Sequence, residues 1–174
     1  MPFTPFHFGP GAALKAVVPA RFSFTIFCYS RVVTDLESGF YLVRGEYPVH
    51  RFFHTYIGAT LVGIFCALSG RPVCQFALGI WRTWIEEPDG ISPRRSVEIS
   101  RRVALLSALA GTYSHVFLDS IMHRDVTPFS PFTSANPMLH LVSTEALHEF
   151  CLAWGIVGAL ILLLRAARSG PQDE

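Results

Sequence analysis

The chain has 174 residues, 51% of them hydrophobic and only 16% charged, with a formal net charge of +1. A soluble domain carries about 25% charged residues, so this balance, with a mean hydropathy of +0.38, points to a membrane protein. The near-neutral charge removes any electrostatic reason to expect nucleic acid as a partner, and the length suits one domain with a core of its own.

Residues 1–10 are rich in Pro and Phe, with His7 set between Phe6 and Phe8. Gly9, Pro10 and Gly11 form a breaker, and Pro10 suits the opening of a helix. No basic n-region precedes the first apolar run, so a cleavable signal is not expected and the spanning segments would drive insertion. Ala12 to Val18 reads as a short helix that Pro19 stops. Phe22 to Val33 is a second apolar run, ending at Thr34-Asp35-Leu36-Glu37. Neither piece reaches the ~20 residues of a full span. Paired as a hairpin that turns at Pro19-Ala20-Arg21, they bring His7 and Asp35 back to one end.

Residues 38–49, with Gly39, Gly45 and Pro48, read as a loop. His50 and His54, four apart, then head an apolar run to Leu68 that is long enough to span. Val73 to Trp84 is apolar but short, and Trp81 and Trp84 suit an interfacial helix. Glu86 to Arg102 is a charged loop, Val103 to Met122 a second span, and Thr127 to Pro137 a Pro/Ser/Asn-rich loop, in which Pro128-Phe129-Ser130-Pro131-Phe132 reads as a rigid piece covering the site or lying on lipid. His140 to Arg165 begins polar, with Glu145, His148 and Glu149, and becomes the most hydrophobic run. The four cysteines lie in apolar surroundings without a C-x-x-C pair and read as small buried hydrophobes.

The segment GTYSHVFLDSIMHRDVTPFSP, Gly111 to Pro131, carries the clearest chemistry. His115, Asp119 and His123 follow at i, i+4 spacing and share one helix face. An imidazole and a carboxylate so placed can reach one cation, and ionisable groups inside an apolar segment are costly unless they serve a function. Arg71, Arg82, Arg94, Arg95, Arg101 and Arg102 lie between the middle apolar runs, Arg165 and Arg168 follow the last, and Lys15 and Arg21 flank the hairpin turn. By the positive-inside rule these fall on the cytoplasmic side. His7, Asp35, His50, His54, His115, Asp119, His123, Glu145 and His148 then gather at the opposite face.

Such a set suits Zn²⁺ or a similar divalent ion, one or two in number, and a metal-bound hydroxide would hydrolyse a phosphoester. We expect His7, Asp35, His54, His115 and Asp119 as ligands. His50, His123, Glu145 and His148 are further candidates as ligand, base or supporting partner, and Arg51 is the candidate for stabilising a phosphoryl oxyanion. Each has a plainer reading. His7 could cap a loop, Asp35 end a helix, and His50 and His54 sit at an interface. His115 and Asp119 could tie helices together, His123, Arg124 and Asp125 could form an exposed helix end, and Glu145 and His148 could begin a span.

Taken in order, an early histidine near a Pro/Phe motif, an Asp-Leu-Glu after an apolar run, an H-R-x-x-H-T element and an S-H-x-x-L-D helix before a Pro-Phe-Ser loop resemble the predicted membrane-bound, metal-dependent hydrolases of bacterial inner membranes. The resemblance covers residues 3–150. That family is similar to zinc-dependent phospholipase C and the single-strand-specific zinc nucleases, all-α enzymes with His/Asp zinc sites. It implies that His7, Asp35, His50 or His54, His115 and Asp119 bind metal. The chain departs from the pattern in spacing its middle histidines by four rather than five, and in carrying Glu145-x-x-His148 where the phospholipases have H-x-x-x-E.

The expectation is therefore an all-α, integral-membrane bundle of about four spanning or half-spanning helices plus short interfacial ones. It forms one domain over 1–168, with a disordered tail at 169–174. It would be a multi-pass inner-membrane hydrolase of a small-molecule or lipid phosphoester, its site on the extracytoplasmic face. A non-catalytic metal-binding or ion-transport protein, or a small structural membrane protein, are the alternatives.

Overall fold

Small and apolar residues repeating at three- and four-residue intervals build five α-helices and two 3-10 turns, with no strand among the described residues. The computed structural model describes residues 5–85 and 98–168. The expected disordered tail at 169–174 lies outside them, as do Arg94, Arg95 and most of the charged loop from Glu86, and the side chains of Arg82 and Trp84. A turn at Pro5–Phe8 leads into α1, Gly9–Val17, with Pro10 in its first turn as expected. Then follow α2, Phe24–Val43, a second turn at Phe52–His54, α3, Tyr56–Ile85, α4, Arg101–Met122, and α5, Thr144–Arg168.

Two boundaries differ from the sequence reading. Residues 38–43, read as loop, continue α2. The buried stripe Ile26, Phe27, Ser30, Arg31, Thr34, Asp35 and Ser38 keeps helical spacing through Asp35, so packing carries the helix past Glu37. Its stop is Gly45, at φ +68°. The Gly45 N–H donates to the Leu42 carbonyl and the Glu46 N–H to that of Tyr41, the paired bonds of a left-handed helix cap that favours glycine.

The second difference is at Pro72. Val73 to Trp84, read as a separate interfacial helix, is the last part of α3, which contains Pro72. Proline removes one helical hydrogen bond, yet the buried positions Ala59, Val62, Cys66, Gly70 and Cys74 run straight through it at three- and four-residue steps. Burial against α2 and α4 outweighs the lost bond.

Helices α2, α3 and α4 pack on one another around Ile26, Val62, Cys66, Cys74, Ala104 and Ala108. Helix α4 is central, with eleven buried residues. Gly111 lets it cross α2 closely, because a Cβ there would lie 2.7 Å from the Phe27 carbonyl oxygen. Helix α5 packs mainly on α1. A Cβ on Gly9 would run into the Cys151 carbonyl, and one on Gly158 into the backbone of Ala12 and Ala13. Backbone-to-backbone contact through small residues is how helices associate where burial alone gives no drive.

Two helices are long and apolar enough to cross a membrane: Tyr56–Trp81 within α3, and α5. Only 11% of the α5 window is buried inside the protein, against 44% for α3. An apolar helix left that open needs an apolar surrounding.

Candidate metal centre

The ligand candidates are delivered by several pieces of local structure. Asp35 lies midway along α2, on the buried stripe that also carries Arg31 one turn earlier. His115 and Asp119 lie one turn apart on α4. His50 and His54 are not on a helix. His50 precedes the 3-10 turn Phe52–His54 and His54 ends it, and α3 begins only at Tyr56. The turn is held by Glu37, which accepts the Phe53 N–H at 2.8 Å and the Arg51 N–H at 3.3 Å.

Asp35, His54, His115 and Asp119 converge, each offering one ligand atom within 4.8 Å of all the others. His115 Nε2 lies 3.1 Å from Asp35 Oδ1 and 3.2 Å from Asp119 Oδ2. His54 Nε2 lies 3.5 Å from Asp119 Oδ2 and 4.0 Å from Asp35 Oδ1. His54 is fully buried, His115 and Asp119 almost so, and Asp35 is 9% exposed. His7 comes from the other packing unit and reaches the centre through Asp119, with Nδ1 3.5 Å from Oδ1. The short hairpin therefore does bring His7 and Asp35 to one end.

The donor set fits a cation. Asp35 Oδ1, His54 Nε2 and His115 Nε2 are buried without hydrogen-bonding geometry to any partner. Each such group costs about 1–3 kcal/mol when left unsatisfied, and three meet at one point. With the imidazoles in their neutral, metal-binding form, the carboxylates of Asp35 and Asp119 meet at the centre with the Arg31 guanidinium bearing on them, and Glu37 stands behind His54, an excess of carboxylate that a divalent ion would offset. Two imidazoles and two carboxylates are a set that Zn²⁺, Mn²⁺ or a similar ion accepts. Burial, above all, pushes His7 down to about 3 against the opposing pull of Asp119, so its ring is neutral and holds a free lone pair at neutral pH.

A second group, His50, His123 and Asp125, adjoins the first. The His50 ring centroid is 4.6 Å from that of His54 and 4.5 Å from that of His123, with which it stacks. Asp125 holds this segment: Oδ2 accepts the Val49 and His50 N–H groups at 3.0 and 3.2 Å, and Oδ1 lies 3.0 Å from His50 Nδ1. His50 Nε2 is left buried and unpartnered. Burial, the largest influence, pushes His50 down. For Asp125, burial pushes up, but the bonds from His50 and Val49 outweigh it and hold the carboxyl below its usual range.

The remaining candidates are not drawn into the four-residue group. Arg51 donates to the Pro48 carbonyl and to Glu46, and its guanidinium lies 3.5 Å from the Tyr41 ring centroid. Glu145 is exposed in the first turn of α5. His148 is half-buried and close enough to bear on the charge of His7. The Thr127–Pro137 loop packs on the site's rim, where the buried Pro128 accepts the Tyr56 N–H at 2.9 Å. A groove of about 530 Å³ runs along α2 from Val32 past Leu36 and Phe40 to Arg44, and Asp35 opens into it.

Three residues beyond those expected as ligands support the centre. Glu37, of the Asp-Leu-Glu segment, stands with Oε2 3.5 Å from His54 Nδ1. Asp125, which the sequence places only in a helix end, binds His50. Arg31 left a signal, since a charge in an apolar run one turn before Asp35 must face whatever Asp35 faces.

Comparison with family models, with curated proteins and with solved structures finds no match to this chain. The site rests on its own geometry.

Glu37→Gln removes the charge behind His54 while keeping its shape. It is expected to weaken divalent-metal affinity about 10-fold, the lower end of what partners of metal-binding histidines contribute. Competition against a chelating dye measures this, and unchanged affinity would show that Glu37 only pins the turn.

Proposed function

We propose that the protein is an integral-membrane, metal-dependent hydrolase of phosphoesters, with Asp35, His54, His115 and Asp119 as its metal ligands. The observation that carries this reading is the meeting of four ligand atoms from three separate chain segments, three of those atoms buried and in close contact without hydrogen-bonding geometry. A structural polar cluster would pair its own groups, because each unpaired one is costly.

A bound divalent ion supplies a Lewis acid that activates water and polarises a phosphoryl oxygen. The chain's own residues do the rest. Asp35 and Asp119 supply the negative charge, His54 and His115 the neutral nitrogen donors, and Glu37 orients His54 through Nδ1. Asp125 fixes His50 by its Nδ1, so that Nε2 is presented as a proton acceptor beside the centre. His7 joins from the α1 side, and His123 stacks on His50 and keeps its ring in place. Zinc is the first choice of metal, since the two nitrogen donors and buried carboxylates suit it.

The apolar groove leading to Asp35 favours a lipid phosphoester over a freely soluble one. With Lys15, Arg21, Arg71, Arg101, Arg102, Arg165 and Arg168 on the cytoplasmic side, the chain crosses the inner membrane several times and the centre faces outward. Helices α2 and α4, shorter in apolar length than α3, complete the bundle within the membrane. The order of motifs shared with the predicted membrane-bound hydrolases agrees with this reading.

The test is turnover of bis(p-nitrophenyl) phosphate by detergent-purified, zinc-loaded protein. Activity is expected to vanish with a chelator and return on adding metal. Stoichiometric metal without turnover of this or any lipid phosphoester would reduce the protein to a metal-binding one.

A further inference from the structure

Arg31 is 1% exposed, among the most deeply buried side chains of the protein. Its Nη1 donates to Ser114 Oγ at 2.9 Å, and Ser114 precedes His115 on α4. Its guanidinium carbon lies 5.2 Å from the Phe27 ring centroid. The other two nitrogens, Nε and Nη2, are buried with no hydrogen-bond partner. The charges of Asp119 and Asp35 both bear on it, yet among the described residues no carboxylate pairs with it.

The unpaired atoms are not an arbitrary two. Nε–H and the near N–H of Nη2 lie on one edge of the planar group and point the same way. That edge is the fork that grips two oxygens of a phosphate or carboxylate. Nη1, on the opposite side, is the atom spent on Ser114. A buried guanidinium held from behind, with its fork unpartnered one turn from Asp35, is set up for an oxyanion.

We propose that the Nε/Nη2 edge of Arg31 is the anion-binding half of the site, taking two non-bridging oxygens of a phosphoryl group held at the Asp35/His54/His115/Asp119 centre. The assignment rests on the metal-centre reading above and narrows its substrate to an oxyanion ester. The fork is closed to solvent, so phosphate is expected to bind there only in the metal-loaded protein. Arg51, engaged with Glu46 and Tyr41, does not take this role.

A role limited to balancing the carboxylates makes a different prediction, since lysine would then serve as well. The experiment uses the full chain in detergent micelles, loaded with Mn²⁺, with inorganic phosphate as the probe. Paramagnetic broadening of the phosphate ³¹P signal reports binding next to the ion. Arg31→Gln and Arg31→Lys are expected to keep full manganese while phosphate affinity falls at least tenfold in both. Ser114→Ala, which frees Nη1, is expected to weaken phosphate several-fold and carries the comparison if Arg31→Gln does not fold. Metal-loaded Arg31→Lys that binds phosphate within twofold of wild type overturns the proposal. Wild type that takes up no manganese overturns both it and the metal centre. Wild type that binds phosphate through Arg31 but cleaves no phosphoester leaves the anion site standing and removes the hydrolase.

Discussion

Asp119→Ala is expected to strip the protein of its divalent ion. One carboxylate stands among three imidazoles, 3.5 Å from His7, 3.5 Å from His54 and 3.2 Å from His115. Removing it deletes a ligand and one of the charges that draws the cation, and takes from His7 its carboxylate partner. Loss of a group that merely supports a ligand costs about 10–100-fold in metal affinity, so loss of a ligand should exceed the upper end of that range. Elemental analysis of purified protein should fall from about one ion per chain to below a tenth. His115→Ala should behave alike, whereas His140→Ala, exposed beyond α4, should keep its metal. Full metal content in both Asp119→Ala and His115→Ala would end the assignment.

The second large effect is on stability. The centre adds a polar tie between two packing units that also share the buried cluster Leu118, Ile121, Leu147 and Cys151: His7 belongs to the α1–α5 unit, and the other ligands belong to the α2–α3–α4 unit. Without a cation, the buried carboxylates of Asp35 and Asp119 share only the Arg31 guanidinium and the His115 ring between them. An ion that binds only the folded state, present at a thousand times its dissociation constant, adds about 4 kcal/mol. For a chain of this size that is about 10 °C in Tm. Thermal unfolding in detergent should therefore drop by about that amount with a chelator and recover on adding zinc. An unchanged melt, with removal of metal verified, would mean that the two units hold together without it.

The sequence announced the helices and much of the site for the same reason. His115 and Asp119 stood out because charge at i, i+4 spacing inside an apolar run is expensive, and that expense is legible without coordinates. The all-helical fold followed from the same periodicity. The end of α2 was misread because Gly39 and Gly45 look alike in a sequence, and only the cap geometry at Gly45 separates them. Val73 to Trp84 reads as a separate piece because the apolar run before it stops at Leu68, while the burial of Cys66, Gly70 and Cys74 that carries α3 through Pro72 is a tertiary fact. Glu37 and Asp125 escaped for a related reason. Their partners, His54 and His50, lie 17 and 75 residues away, beyond any local pattern.

The groove beside α2 lies along the helix's flank, past the exposed side chains of Leu36 and Phe40, and meets the centre at Asp35. A lipid using it would slide in laterally from its own leaflet without first leaving for water. Its cleavage would then depend on how crowded that leaflet is with it, following mole fraction in a mixed micelle, and diluting the whole suspension with buffer would change little.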